Sequence, residues 1–398
     1  MSAFLSFLSG NPVFSGVILP LATAFICTAA GMGLMSVPLR RLPRGTHWSV
    51  MARHYWPLRS ARTLAMIWIV MAACISSYGT LEARGEMWLV FLIGISALAG
   101  CILGSREAAR GLPLPATAGT GGMGAVAGWL LLFPGMPGLL AVMAFTWHRG
   151  LDTGALAIAG SILAACVLLC VGGSVAILRA VGLARPVDGE LERTCREMAA
   201  ARGLAVRHVM SMDLGMANAF AFPWTRDLAF TRAILTVLDG EELRSVISHE
   251  LGHLAEGRAE RWKRLVGLLA IPTVGLAPGA MGAGQPLLGL GLLGAHFLVN
   301  RWVAWHHKRL ETTADTHASE SQEGEGVYAR ALEKIHVAGL IPAVLHPGLP
   351  HPNLYDRMTA AGAAPGFPRP MPPSRWLPLV SGALMAAAFL TLWRWLGV

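Results

Sequence analysis

Long apolar stretches alternate with two polar segments along this chain. A helix that crosses a membrane needs about 20 mostly apolar residues. Stretches of this kind lie at 14–37, 63–81, 87–104, 122–147, 154–178, 265–281, 286–303 and 376–396. They predict about eight transmembrane helices, of which 122–147 is the least regular because it contains Pro134 and Pro137. Residues 265–300 carry no Asp, Glu, Lys or Arg, and they predict a helical hairpin that turns near 282–285.

The first polar segment, 179–264, predicts a small α+β domain. Residues 186–203 alternate charged and apolar positions with a helical period, and three β-rich runs predict short strands at 206–212, 218–222 and 228–231. Asp239 is a good N-cap, and Glu242 three residues later completes a capping-box pattern. We therefore expect a helix that begins at Asp239 and continues through residues 249–253.

The composition supports a membrane protein. The chain is 54% hydrophobic and 14% charged, whereas soluble domains carry about 25% charged residues. The predicted fold class is a polytopic α-helical membrane protein with a small α+β domain. The predicted sections are a membrane module at 1–180, the first part of the domain at 181–264, the hairpin at 265–304, the second part at 305–375 and a last helix at 376–398.

The basic residues predict orientation. The net charge of +9 is explained by Arg and Lys at membrane edges better than by nucleic-acid binding, and the bilayer is the expected partner. The loop after the first span carries six arginines between residues 40 and 62, which predicts a cytoplasmic location. The same rule places both polar segments on the cytoplasmic side.

The sequence His249-Glu250-Leu251-Gly252-His253 is an HExxH motif. Residues four apart share one face of a helix, so His249 and His253 can bind one Zn²⁺ while Glu250 acts as a general base. A pair of ordinary surface or core histidines is the alternative, because the bare motif also arises by chance.

A third ligand is predicted after the hairpin. Catalytic zinc sites have three protein ligands and leave a position for water. Glu311 is the candidate, and Asp315 one turn later is placed to accept a hydrogen bond from a ligand imidazole. Asp315 as a solvated helix charge is the alternative, and the nearby histidines that compete with Glu311 are His306, His307 and His317.

Five segments, in order, resemble the integral-membrane zinc metalloproteases of metallopeptidase family 48. They are Asn218-Ala219-Phe220-Ala221, the run 230–235, the HExxH motif, Glu311 to Asp315 as an ExxxD pattern, and His351-Pro352 followed by Arg357. The resemblance covers about residues 186–359 and implies a zincin-like (gluzincin) domain that holds one Zn²⁺ per chain. It further implies that residues 218–221 bind substrate.

The last of these segments implies two more active-site roles. His351 would help to hold the oxyanion, and Arg357 would brace substrate or active-site groups. A histidine in a Pro-rich loop is the alternative for His351. Two departures from the family pattern are the five predicted spans before residue 180, where two are usual, and the sequence Phe222-Pro223-Trp224-Thr225, which replaces a Gly-rich turn.

These observations predict a zinc-dependent endopeptidase that hydrolyses membrane-associated proteins near the cytoplasmic membrane surface. The high Ala, Gly and Arg content indicates a GC-rich bacterial genome, and the expected location is a bacterial inner membrane. The resemblance implies quality control of membrane proteins as the first expectation and disfavours CAAX-type processing, while cleavage of one dedicated partner stays open. An inactive membrane scaffold or a transporter-like protein is the alternative function, and the sequence does not indicate an oligomeric state.

Overall fold

A computed structural model describes residues 11, 13–84, 86, 88–112, 114, 123–146, 151–187, 189–322, 324–346 and 352–396. The structure is mostly helical, with one small sheet. The helices before the sheet are α1 (Phe14–Arg40), α2 (Trp48–Arg84), α3 (Trp88–Ala109), α4 (Met123–Leu132), α5 (Gly135–Thr146) and α6 (Thr153–Ala180). The sheet region contains β1 (Ala184–Pro186), α7 (Glu190–Ala200), β2 (Val209–Met212), β3 (Ala219–Phe222) and β4 (Asp227–Thr231).

The remaining elements are helices. They are α8 (Arg232–Val237), α9 (Gly240–Leu254), α10 (Arg258–Gly282), α11 (Pro286–Glu320), α12 (Val327–Gly339), α13 (Leu354–Ala360) and α14 (Trp376–Trp395). The predicted helix at 186–203 and the three predicted strands are all present; the helix and the first two strands are shorter than the sequence suggested, and β4 begins one residue earlier than predicted.

Seven helices of the described residues are long and apolar enough to cross a membrane, namely α1, the Trp48–Ser77 part of α2, α3, α6, α10, α11 and α14. The predicted span 122–147 is two helices, α4 and α5, which meet at Phe133 and Pro134. A proline lacks the backbone N–H of a helix and its ring clashes with the preceding turn, which accounts for the break. The number of helices that span the membrane stays a prediction.

The chain divides into two compact units, residues 1–114 with 371–398, and residues 115–370. In the first unit, α1, α2, α3 and α14 pack together. Gly100 and Gly104 of α3 allow close contact with α1, since a Cβ on Gly104 would lie 2.6 Å from the Phe25 carbonyl oxygen. Small residues four apart are a common basis of helix packing in membranes. The five sections predicted from the sequence stay a prediction; the second unit joins residues 115–180 to the polar segments.

The sheet of the second unit has the strand order β1-β2-β4-β3. β2 and β4 are parallel, whereas β1 pairs antiparallel with β2 and β3 antiparallel with β4. One face packs on α7, α9 and α12 through residues such as Leu228, Phe230 and Ile247. The other face packs on α4 and the end of α6 through Met210, Met212 and Ala229. Both faces of the sheet are therefore covered by helices.

The hairpin of α10 and α11 turns at residues 283–285, where the sequence predicted a turn. The apolar part of α11 ends at residue 303, but the helix continues to Glu320. Its total length is 35 residues, or about 52 Å at 1.5 Å per residue. No Gly or Pro interrupts residues 304–320. Glu311 and Asp315 consequently lie on the same helix as the second half of the hairpin.

Candidate active site

The helix α9 carries the HExxH motif in its last turns. It begins with the predicted capping box, in which the Asp239 carboxylate accepts from the Glu242 N–H at 3.0 Å and the Glu242 carboxylate accepts from the Asp239 N–H at 3.0 Å. Val246, Ile247 and Leu251 place one side of α9 in the core beside the sheet. The motif is thereby held on a helix that is fixed at its start and along its length.

The helices α9 and α11 approach closely beside the motif. A Cβ on Gly252 would lie 3.1 Å from Cα and 3.3 Å from Cβ of Ala314. The hydroxyl of Ser248 donates to the His317 carbonyl oxygen at 3.0 Å, and Arg202 donates to the Ser248 carbonyl oxygen at 2.9 Å. These contacts bring the HExxH face of α9 against the Glu311 face of α11.

His249, His253 and Glu311 form one buried group of metal-ligating atoms, which all lie within 4.8 Å of one another. Nε2 of His249 is 3.7 Å from one Glu311 carboxylate oxygen, and Nε2 of His253 is 3.4 Å from the other. The two imidazole rings are nearly perpendicular, at 89°. Two imidazole nitrogens and a carboxylate are a ligand set of catalytic zinc sites. Among the described residues this is the one such cluster of three ligands, and its chemistry fits Zn²⁺.

A hydrogen-bond network fixes the outer nitrogen of His249. Nδ1 of His249 lies 3.1 Å from Oδ1 of Asp315 and 2.9 Å from Oη of Tyr328. Arg357 donates to both Asp315 oxygens, at 2.8 and 2.6 Å, and to Tyr328 Oη at 2.8 Å. Tyr328 in turn donates to Asp315 at 2.6 Å. The Asp315 carboxylate thus favours a proton on Nδ1 of His249, which leaves Nε2 as the metal-binding atom.

Burial shapes the charges of this network. Burial raises the pKa of Tyr328 well above its ordinary value, which keeps its hydroxyl proton available for Asp315. Burial alone would lower the pKa of Arg357, but Tyr328 and the Asp315 carboxylate outweigh it and raise that pKa. Arg357 therefore stays charged beside the carboxylate that it holds.

A second carboxylate fixes His253 in the same way. Nδ1 of His253 lies 2.9 Å from a carboxylate oxygen of Glu256, and Nε of Arg264 donates to the other oxygen at 2.7 Å. Burial would lower the pKa of His253, but Glu256 and Glu311 outweigh it and raise the pKa to about 10. The surroundings therefore favour positive charge at this position, which a bound cation also supplies.

The other predicted residues lie as follows. Nε2 of His306 is 3.1 Å from a Glu260 carboxylate oxygen. The carbonyl of His317 bonds Ser248, and among the described residues Nε2 of His307 has no hydrogen-bond partner. The three-residue cluster includes none of these histidines.

His351 lies outside the described residues. Arg357 is on α13, where two of its donor atoms bind Asp315 and Tyr328, an arrangement that favours the bracing role.

The predicted substrate strand lies at the edge of the sheet. β3 begins one residue after Asn218 and pairs only with β4 among the described strands. It also packs against α9. The segment 218–221 is therefore brought beside the HExxH helix, with one hydrogen-bonding edge directed away from the sheet.

Sequence reasoning missed Tyr328, Glu256 and Arg264. Tyr328 lies 79 residues from His249, and no local pattern links the two. Glu256 follows His253 by three residues, which is a neighbouring position on a helix. That spacing was the one available signal for an additional carboxylate beside the predicted ligand.

The chain is similar to known proteases over the region that contains this site. Residues 186–364 match the model of peptidase family M48. Those residues are similar to an M48 peptidase domain. The chain is also 29% identical over 180 residues to a protein named Protease HtpX homolog from Aeropyrum pernix. That match covers 38% of this chain and 54% of the relative, so the chain spans about half the length of the relative that it matches. The segment that matches the family model includes the HExxH helix, the hairpin, Glu311 and Arg357.

Proposed function

We propose that the chain is a zinc-dependent endopeptidase whose metal ligands are His249, His253 and Glu311. The observation that carries the proposal is the buried cluster of these three side chains, with ligand atoms within 4.8 Å of one another. Each residue of the cluster is 8% exposed, and Glu250 between the two histidines is 7% exposed. A segment that is similar to an M48 domain and has all three candidate ligands with the adjacent carboxylate supports an enzyme over an inactive scaffold.

Zn²⁺ in such a site supplies a Lewis acid and lowers the pKa of a water toward about 7. The Glu250 carboxylate takes the proton of the attacking water and delivers it to the leaving amine. Asp315 and Glu256 keep the two imidazoles in the orientation that presents Nε2. His351 is the proposed donor to the oxyanion, Arg357 is proposed to brace Asp315 and Tyr328, and Asn218–Ala221 is the proposed binding strand for an extended peptide.

The site lies close to the predicted membrane surface. His253 precedes the start of α10 by five residues, and Glu311 follows the apolar part of α11 by eight residues, which is about 12 Å along a helix. Trp262, Trp302 and Trp305, which flank the predicted hairpin ends, are all exposed, and tryptophans are common where helices leave a membrane. We therefore propose membrane-associated proteins as substrates, cut on the cytoplasmic side of a bacterial inner membrane.

Two variants test the proposal in detergent-purified full-length protein. Glu311→Ala is expected to lose most of a stoichiometric zinc content, measured by elemental analysis. Glu250→Gln is expected to retain zinc and to lose peptide hydrolysis by a factor of at least about 10². Zinc absent from the reconstituted wild type would favour the scaffold alternative. Zinc retained by Glu311→Ala would return the third-ligand role to His306, His307 or His317.

A further inference from the structure

The turn between β3 and β4 is fixed to the start of the helix α10. Nη1 of Arg261 donates to the Pro223 carbonyl oxygen at 3.0 Å. The Trp224 ring packs edge-on against Trp262, with centroids 5.1 Å apart, and the Arg261 guanidinium lies 5.6 Å from the Trp224 ring. The apolar run of α10 begins at Leu265, three residues after Trp262. The tip of this β-hairpin therefore lies at the predicted membrane boundary.

A second helix contacts the same tip from another side. α6 is kinked at Gly172, whose φ of 133° is outside the helical region. A Cβ on Gly172 would lie 2.6 Å from Cγ2 of Thr225, so the glycine makes room for the turn. Gly172 precedes Arg179, the first basic residue of α6, by seven residues, or about 10 Å along a helix. The turn thus lies at the start of the apolar part of α10 and against the last two turns of the apolar part of α6.

The backbone of β3 offers two residues to a further strand. The Asn218 carbonyl accepts from the Thr231 N–H at 2.9 Å, and Asn218 therefore bonds toward β4. Because the bonding direction alternates along an antiparallel pair, Phe220 and Phe222 also bond toward β4, whereas the N–H and C=O groups of Ala219 and Ala221 point to the free edge. The small Ala219 and Ala221 side chains pack in the core shared with α9, so this strand lies against the helix that carries the HExxH motif.

β3 has a fixed direction relative to the membrane boundary. Its carboxyl end, Phe222, leads into the turn at Pro223 and Trp224, and its amino end, Ala219, lies four residues earlier in the chain than Pro223. Antiparallel pairs are the more frequent and have better aligned hydrogen bonds. A peptide that pairs antiparallel with β3 has its amino-terminal part beside Phe222 and its carboxyl-terminal part beside Ala219. Its amino-terminal part is therefore the part nearer the membrane.

We infer that the substrate is a membrane protein whose membrane-spanning segment precedes the scissile bond, so that the cut falls in the polar chain that follows the segment. This inference rests on the proposed function and on β3 as the binding strand. The cluster lies about 12 Å beyond the apolar part of α11, and an extended chain covers about 3.3 Å per residue. Cleavage is expected roughly four to eight residues after the membrane-spanning segment.

Two anchored reporters test the inference with the full chain in lipid nanodiscs. Both contain the same polar reporter sequence, already cut as a soluble peptide, and the same apolar helix of about 20 residues. In one reporter the helix precedes the polar sequence by a spacer of about six residues, and in the other it follows at the same distance. The first reporter is expected to be cut at least about tenfold faster. Only in that reporter can the polar sequence pair antiparallel with β3 while its apolar helix stays in the membrane. Equal rates, or a preference for the second reporter, would overturn the inference.

The proposed function is judged separately by the soluble peptide. Its hydrolysis must depend on Glu250 whichever anchored reporter is preferred. Failure of the proposed protease activity and failure of the proposed binding direction therefore give different results.

Trp224→Ser tests the role of the turn, with Trp376→Ser as a control at a 74% exposed tryptophan of the other unit. The Trp224 variant is expected to reduce the preference to less than about threefold while the control retains it. Full preference in the Trp224 variant would contradict orientation by the turn.

Discussion

The Glu256 carboxylate lies 2.9 Å from Nδ1 of His253, and it is held on its other side by Arg264 at the start of the hairpin. His249 has the equivalent arrangement with Asp315 and Arg357. Each proposed imidazole ligand is therefore followed by a carboxylate and then by an arginine. The two chains of contacts come from different parts of the sequence, so the metal site depends on both the membrane hairpin and the last polar segment.

Replacement of Glu256 by Ala is expected to weaken zinc binding by about 10- to 100-fold, because the orientation and tautomer of His253 are no longer fixed. The measurement is competition for zinc with a chromophoric chelator. Glu256→Asp is expected to recover part of the affinity. Glu241→Ala, at an exposed acidic residue of α9, serves as the control and should bind like the wild type. Unchanged affinity in Glu256→Ala would show that Glu256 does not position the ligand.

Replacement of Arg357 by Met is expected to lower the free energy of unfolding by about 3 kcal/mol, since it leaves the carboxylate of Asp315 in a buried place without its cation. The side chains of Arg357 and Asp315 are only 10% and 17% exposed. Denaturant unfolding in detergent, with a chelator present, measures the effect apart from metal binding. Arg330→Met, at an exposed arginine of α12, is the matched control. Equal stability of the two variants would contradict a structural role for the pair.

Some features of the fold depend on neighbouring residues, and others depend on residues far apart in the chain. The capping box of α9, the three strands and the turn of the hairpin follow from neighbouring residues, and the sequence predicted each of them. The break at Pro134 and the unbroken passage of α11 into Glu311 depend on how far a helix continues, which periodicity determines poorly. Tyr328 approaches His249 only through the packing of α12 on α9, so no local pattern identified it.

Replacement of Gly252 by Ala is expected to weaken zinc binding severalfold. The added Cβ would lie 3.1 Å from the Ala314 backbone, so α9 and α11 must separate by a few tenths of an ångström, and His253 would move relative to Glu311. Gly240→Ala is the control on the same helix, because a Cβ there meets no atom within 4 Å. It is expected to keep the affinity and to add slight stability. Identical zinc affinities for both variants would show that the helix contact tolerates a methyl group.

The N-cap of α9 is expected to make stability depend on pH in the acid range. The Glu242 N–H, with a further contribution from Lys334, holds the pKa of Asp239 below its ordinary value of 3.8. Because the folded-state pKa is the lower one, the stabilisation is complete above pH 3.8 and is lost as the pH falls through the folded value. Asp239→Ala should therefore unfold at a lower temperature than the wild type near neutral pH, and the difference should shrink in acid. Thermal unfolding from pH 7 to 3 measures it, with Asp213→Ala at an exposed aspartate as the control. A difference that is constant over this range would show that the Asp239 charge does not stabilise the helix.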